Sequence, residues 1–269
     1  MDNSVVSVNI GGGLGNMMFQ AAFAYAFSME KNCNYELLNF DLSCYNNKTW
    51  LGRHGLYSNN IFKWFDLSTK AGECVVIPDS PFHYEIPPFY KNKKNIYRGY
   101  YQSYKYFGSF VNEVKSIYYP SKNEIENLKI KYNLKFEDFI SLHVRRGDYI
   151  SQQDNHPVLP ILYYNRCIEY FGSKKNYLIF SDDIEWCKQE FNWIPNVFFV
   201  ENELDFNSIY IMANCSHHII SNSSFSFWGA WLNHKEKQIL RPDVWFGKNY
   251  SCLNISDIAP KEWKTISII

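Results

Sequence analysis

Apolar and polar positions along this chain switch between two periods, and each switch marks an element. Residues 5–10 form a short apolar run that reads as a buried strand. The turn Gly11-Gly12-Gly13-Leu14-Gly15-Asn16 follows, and an apolar helix is predicted over about 17–29. Strand, glycine loop and helix together open an α/β unit. A second strand is expected at 36–40. Between 41 and 88 no period holds, and the stretch reads as loops and small helices. A strand is predicted at 96–102 and a helix at 104–118. Pro120-Ser121 then interrupts the pattern, and Ser121 with Glu124 makes a capping box for a helix reaching about residue 134.

The second half alternates more regularly. Strands are predicted at 139–144, 177–180, 197–200, 218–221 and 238–240. Helices are predicted at 159–171, 183–191, 204–213 and 225–232, with Asp182 and Glu185 as candidate caps for the second of these. Short apolar strands alternating with helices predict a parallel sheet covered on both faces. Ligands of such sheets bind at the carboxyl ends of the strands. The break near 120 divides the chain into 1–120 and 121–269.

Composition narrows the class. With 46% hydrophobic and 20% charged residues over 269 positions, the chain is globular and long enough for a sizeable core. Its 27 basic and 27 acidic residues cancel, so no whole-molecule field draws nucleic acid, and an anionic ligand needs a local cluster. Seven cysteines without a C-x-x-C spacing read as scattered buried thiols in a reducing compartment rather than a disulfide framework or zinc site. No export signal or membrane-spanning run is visible. Aromatic residues reach 19%; packing is the first explanation of each ring, and sugar or base stacking the second.

Four segments carry candidate chemistry. The loop containing Gly13 and Asn16 allows close backbone approach at a helix start, where an anion is favoured. No Lys-Ser/Thr pair makes it a Walker loop. Gln20, one turn beyond Asn16, shares its face. In the run His143-Val144-Arg145-Arg146-Gly147-Asp148-Tyr149, two arginines follow an apolar strand. An arginine fork matches phosphate oxygens; the other reading is a surface pair bridged to Asp148. The stretch Ser221-Asn222-Ser223-Ser224-Phe225 supplies hydroxyls and free N–H groups at a helix start, an anion site or an ordinary cap. Asp182-Asp183 reads as a helix cap or as a metal-holding pair bridging a diphosphate. His217 and His218 point to opposite faces of a strand, which suits structural roles.

Taken together, these segments resemble the α-1,2-fucosyltransferases of glycosyltransferase family 11. The resemblance rests on Gly-Gly-Leu-Gly-Asn with Met18-Phe19-Gln20, on residues 99–107, on 143–149, on 221–231 and on Trp245-Phe246, in the family's order. It implies a GT-B-like fold of two Rossmann-type domains, the C-terminal one binding the nucleotide sugar and the N-terminal one serving the acceptor. It implies a GDP-fucose donor, inversion at the anomeric carbon, no essential metal and a galactose-terminated oligosaccharide acceptor. By motif, Arg145 and Arg146 would contact the GDP diphosphate, with His143 near the nucleoside or phosphate. Asn222, Ser223, Ser224 and Phe225 would hold the β-phosphate, and Gly13, Asn16 and Gln20 would face the transferred sugar. Departures at Met17, Ala21, Tyr104 and Phe227 touch the acceptor side more than the phosphate side. A bacterial cytoplasmic enzyme is expected, with room for peripheral membrane contact.

For a general base, Asp148, Asp154 and His156 all follow the arginines on one loop, and spacing does not choose among them. Asp148 has the alternative role of orienting Arg146. Two other readings stay open: a transferase for another GDP-sugar, and a carbohydrate-binding module without catalysis.

Overall fold

The structure is a computed structural model that describes residues 3–38, 57, 60–65, 73–78, 82–235 and 237–269. The chain forms two compact units. One comprises Met1–Tyr118 and Asn254–Ala259, the other Tyr119–Leu253 and Pro260–Ile269. The return of 254–259 to the first unit has no counterpart in a single break near 120. Lys105 anchors it there, 2.5 Å from Asp257.

In the first unit, β1 (Val5–Asn9), β2 (Asn34–Leu38), β3 (Cys74–Ile77) and β4 (Lys94–Tyr97) form a parallel sheet in the order β2-β1-β4-β3. Helix α1 (Leu14–Lys31) follows β1 and is apolar almost all round, so most of it is buried. It ends at Asn32 in the left-handed conformation that asparagine tolerates. Phe23 on α1 lies flat on Tyr101 at 3.8 Å and meets the edges of Tyr97 and Tyr106. Much of the aromatic content is thus core packing. Buried Glu36 is paired with Lys94 at 2.5 Å and accepts from Ser7 Oγ at 2.7 Å, so its charge is compensated.

Three expectations are corrected here. The predicted strand at 96–102 is Lys94–Tyr97, because Tyr101 takes a φ of 51° that no strand residue holds. The predicted helix at 104–118 is a 3₁₀ segment (Tyr104–Phe110) broken at Phe107, then α2 (Val111–Tyr118). Strand β3 lies in the stretch read as loops and small helices, most of which falls outside the described residues, as do positions 39–40 of the second predicted strand.

The second unit opens with α3 (Lys122–Tyr132), which carries the complete Ser121–Glu124 capping box. Its sheet contains β5 (Phe139–Val144), β6 (Asn176–Ser181), β7 (Val197–Phe199), β8 (His217–Ile219), β9 (Ile239–Pro242) and β10 (Lys264–Ile266). All pairs are parallel, in the order β10-β9-β8-β5-β6-β7. The sequence reading stopped one strand short: β10 is only three residues long and recruits its partner β9 across the 254–259 excursion. Helices α4 (Ile161–Phe171), α5 (Ile184–Phe191), α6 (Asp205–Ala213) and α7 (Ser224–Trp231) alternate with the strands. Strand periodicity sends Ile140, Leu142 and Val144 into one core with Tyr163, Tyr164 and Cys167, and turns Ser141 and His143 the other way. Among the described residues the buried thiols are Cys167, Cys187 and Cys215, whereas Cys74 and Cys252 are exposed.

The sheet of the second unit reverses its winding once. From β5 the chain builds β6 and β7 on one side, then places β8 on the other. Open α/β sheets bind ligands outside the carboxyl ends of the strands at this kind of reversal.

Candidate functional site

In the second unit, the arginine run leaves β5 and the serine run leaves β8, the two strands that flank the reversal. The sheet therefore brings together segments about 75 positions apart. His143 is the link. Its Nδ1 lies 2.8 Å from Ser221 Oγ, and its ring packs on Phe225 at 5.2 Å. Burial, and secondarily the Arg145 charge, push its pKa down to about 3, so the imidazole is neutral.

The two arginines have different partners. Arg145 donates to Asp148 Oδ1 at 2.5 Å and to Asp182 Oδ2 at 2.9 Å, and its guanidinium lies 5.2 Å from the Tyr149 ring centroid. Arg146 donates through Nε to Asp183 Oδ2 at 2.9 Å and stacks on Trp186 at 4.1 Å. Asp182 also accepts the Arg146 backbone N–H at 2.9 Å. Asp148 therefore braces Arg145, not Arg146 as expected: it sits three residues after Arg145 on the 3₁₀ turn Gly147–Ser151. Asp183, rather than Asp182 with Glu185, caps α5, accepting from Trp186 N; the helix starts at Ile184, which makes Asp183 the cap residue. Both carboxylates of this acidic pair are engaged by the arginine run, and Asp183 bears out the helix-cap reading of the pair.

Two arginines facing three aspartates leave this cluster without net positive charge. An incoming anion must exchange with a carboxylate. Asp148 is the readiest to leave, since its side chain is 54% exposed and such pairs are worth at most about 1 kcal/mol.

At the end of β8, Ser223 caps α7, its Oγ accepting from Phe225 N at 3.3 Å. Ser224 and Phe225 are half-buried. Asn222 is buried, and its amide donates to the Pro157 and Trp245 carbonyls, tying two loops to the strand end. Tyr149 donates to the Asn222 carbonyl at 3.2 Å and stacks on His156 at 4.9 Å; burial first, offset in part by Arg145, brings its phenol to about 12. Asp154 pairs with Lys248 at 3.0 Å on the surface.

In the first unit, Gln20 accepts from Gly11 N–H at 2.8 Å and donates to the Gly99 carbonyl at 2.9 Å, so it fastens the glycine loop to the segment after β4. Gln102 donates to Asn16 Oδ1 at 2.7 Å. Gly13 is the N-cap of α1 and offers no side-chain cap, leaving that helix start to backbone or ligand partners.

Away from these segments, His218 is buried between Ser141 and Asn233, while His217 stacks on Phe171, opposite faces as expected. A hollow of about 410 Å³ near His217, Phe171 and Lys175 opens at the amino-terminal edge of the sheet, the far rim from Arg145. Sequence reasoning missed the arginine-holding roles of Asp182 and Asp183, and it missed Trp186 altogether. The available signal was that consecutive strands are usually neighbours, which puts the end of β6 beside the end of β5.

Depressed histidine pKa values make stability depend on acid. His143 and His218 are neutral when folded and titrate normally, near 6.5, when unfolded. Their contribution is complete above about pH 6.5 and is lost as pH falls towards the folded values. Urea unfolding at pH 7.5 and pH 5 is expected to show lower stability at pH 5, by about 1.4 kcal/mol per pH unit for each such histidine at most. His143→Gln should flatten part of that slope; an unchanged slope would remove His143 from the account.

The family model described as Glycosyl transferase family 11 matches residues 77–267. Among curated proteins, the chain is 32% identical to an α-1,2-colitosyltransferase of Escherichia coli, over 98% of this chain and 99% of that one. It is 29% identical to the O-antigen biosynthesis glycosyltransferase WbnK of Escherichia coli, over 94% and 98%. Among solved structures, the α-1,6-fucosyltransferase NodZ from Bradyrhizobium, in a crystal soaked with GDP-fucose, shares its GT-B-like fold with a TM-score of 0.51 and 12% identity, covering 90% of this chain and 96% of that one. No helix among the described residues is long and apolar enough to cross a membrane.

Proposed function

Because the chain belongs to glycosyl transferase family 11, we propose that it moves L-fucose from GDP-fucose to O2 of a terminal galactose on a glycan, with inversion at the anomeric carbon. The observation that carries this reading is Arg145, one third exposed just after β5, whose paired strand β8 leads into the helix start at Ser223–Ser224. These are the two anion-binding features of the second unit, and they flank the reversal of its sheet. We assign the donor to this unit and the acceptor side to the first.

In this reading the diphosphate takes the place of Asp148 on Arg145. As the bond from the anomeric carbon to the β-phosphate oxygen lengthens, negative charge grows on that phosphate. Arg145 and the N–H groups at the start of α7 stabilise it, an effect that needs donors already aimed at the developing charge. Arg146, held by Asp183 and Trp186, stiffens the turn that presents Arg145. Asn222 holds the loops around the phosphate rather than touching it. His143, neutral and tied to Ser221, joins the two strand ends. Gly13 and Asn16 form the sugar-facing part of the first unit, with Gln20 positioning their loop.

A second donor, GDP-colitose, is favoured by the 32% identity to the Escherichia coli colitosyltransferase. Colitose is L-fucose without its 3-hydroxyl, so a single contact decides between them. A site built to hydrogen-bond that hydroxyl rejects the deoxy sugar by about 10⁴-fold or more. Mass spectrometry of reactions containing lactose with GDP-fucose, GDP-colitose or GDP-mannose tests the reading. A fucosylated product, with linkage analysis placing it at O2 of galactose, is expected. Product from GDP-colitose alone would replace fucose with its deoxy analogue, and product from GDP-mannose alone would end both readings. Thermal shift with GDP against UDP checks nucleotide choice, since stabilisation follows occupancy.

A further inference from the structure

We infer that His156 is the general base that takes the proton from the acceptor hydroxyl. The inference rests on the transfer reading above and deepens it.

Three side chains on the loop after the arginines can accept a proton, and the structure separates them. Asp148 is bound to Arg145 at 2.5 Å. Asp154 is paired with Lys248 at 3.0 Å, with 60% of its side chain exposed. Its carboxylate is thus taken up by a lysine at the surface. His156 differs from both. Its backbone N–H is bonded to the Gln152 carbonyl at 2.8 Å, but neither imidazole nitrogen has a hydrogen-bond partner among the described residues. The ring is half-buried and fixed on three sides. Tyr149 stacks on it at 4.9 Å with planes 19° apart, and Phe246 and Tyr250 flank it at 5.8 and 6.1 Å.

Tyr149 places this ring relative to the anion site, because the same phenol ring lies 5.2 Å from the Arg145 guanidinium. One aromatic ring thus bridges the proposed phosphate ligand and the imidazole. A base for this reaction belongs at that kind of remove, since the anomeric carbon and the attacking oxygen intervene between phosphate and base. The loop is also tied in place by hydrogen bonds and close packing. Tyr149 is bonded to the end of β8, and Gly247 N–H donates to the Asn155 carbonyl at 2.9 Å. Gly247 lies so close that a Cβ there would sit 2.5 Å from the Gln153 and Asp154 carbonyl oxygens.

The charged and titratable groups around the ring are Asp148, Arg145, Tyr149 and Tyr250, while the Asp154–Lys248 pair nearby is internally neutralised. Burial lowers the His156 pKa most; Asp148 works against it and Arg145 with it. At neutral pH the imidazole is in its proton-accepting form.

The step balances. The acceptor oxygen forms a bond to the anomeric carbon from the face opposite GDP. The bond to the β-phosphate oxygen breaks, and its electron pair leaves with GDP. The acceptor proton passes to a His156 nitrogen and then to water.

The test uses the full chain with GDP-fucose and lactose. For the parent, kcat/KM should rise on the acid side with an apparent pKa below the usual histidine value. His156→Gln should lower kcat about 10²–10³-fold, the scale of general base catalysis, and abolish that acid limb. GDP affinity should stay within twofold of the parent, and imidazole in the buffer should restore part of the activity of His156→Ala. An acid limb retained in His156→Gln, or a loss below fivefold, would overturn the assignment. Loss of GDP binding without imidazole rescue would make His156 structural and overturn it as well. Failure of the parent to transfer fucose from GDP-fucose at all would instead strike the functional reading.

Discussion

Arg145→Ala is expected to slow sugar transfer at least about a hundredfold and to weaken GDP binding in parallel. The scale is that of losing one donor aimed at a developing oxyanion, ~2.7–4 kcal/mol. Arg145 is the natural anion ligand of the pair because one of its two partners is exchangeable. Asp148 is half in water and gives way to a phosphate, while Asp182, held also by the Arg146 N–H, keeps the Arg145 guanidinium aimed. Arg146 lacks this freedom, with Asp183 at its Nε and Trp186 beneath its plane. Arg146→Ala should therefore affect stability more and GDP affinity less. Arg145→Lys should recover only part of the activity, since an ammonium cannot reproduce the two-pronged fork. Isothermal titration with GDP and steady-state kinetics decide the matter. Turnover and affinity of Arg145→Ala within twofold of the parent would sink the assignment. A larger loss of GDP affinity in Arg146→Ala than in Arg145→Ala would exchange the roles of the two arginines.

Gly147→Ala is expected to cost about tenfold or more in GDP affinity while leaving the fold intact. A Cβ at this position would lie 2.4 Å from Asp182 Oδ2 and 3.0 Å from its Cγ. The obstacle is the tip of a side chain, so the carboxylate swings aside and the backbone stays. What is lost is the clamp by which Asp182 holds both the Arg145 guanidinium and the Arg146 N–H. Misplacing a positioning group by about 1 Å can cost as much as a hundredfold in rate. Melting temperature should move by only a few degrees, as expected for a change of about 1 kcal/mol or less in a domain of this size. The two positions should also be non-additive: in an Asp182→Ala background, Gly147→Ala should add little, because the residue it disturbs is gone. Additive losses would show that Gly147 acts through something other than Asp182.

Much of the fold was legible because its signals are local. A strand at 139–144 needs only an apolar run of β-rich residues, and the observed β5 has those bounds. The Ser121–Glu124 box needs only two side chains three apart, and it forms as written. Where the reading failed, the deciding interaction was not local. Residues 98–102 carry strand-like composition, but Gly99 accepts from Gln20 and Gln102 reaches Asn16, which turns the chain out of the sheet. β10 is too short to show a period and exists because β9 offers it an edge. At the site, sequence alone named the arginines and the serine-rich helix start, since two adjacent arginines after a buried strand and three small polar residues before an apolar helix are unusual in themselves.

Sequence by itself thus determined the α/β class, the parallel sheets and the family resemblance, and it singled out two segments as candidate anion sites. The physical reason is that periodicity, caps and charged clusters are properties of neighbouring residues. Only the tertiary structure decided which carboxylate holds which arginine. Asp182 and Asp183 reach the arginine run because β6 lies beside β5, a pairing 37 residues apart along the chain. Only the fold likewise separated the three base candidates, by giving Asp148 an arginine, Asp154 a lysine and His156 a stack of rings with no hydrogen-bond partner for either nitrogen among the described residues. Partners such as these are set by sheet order and loop packing, which spacing along a chain does not encode.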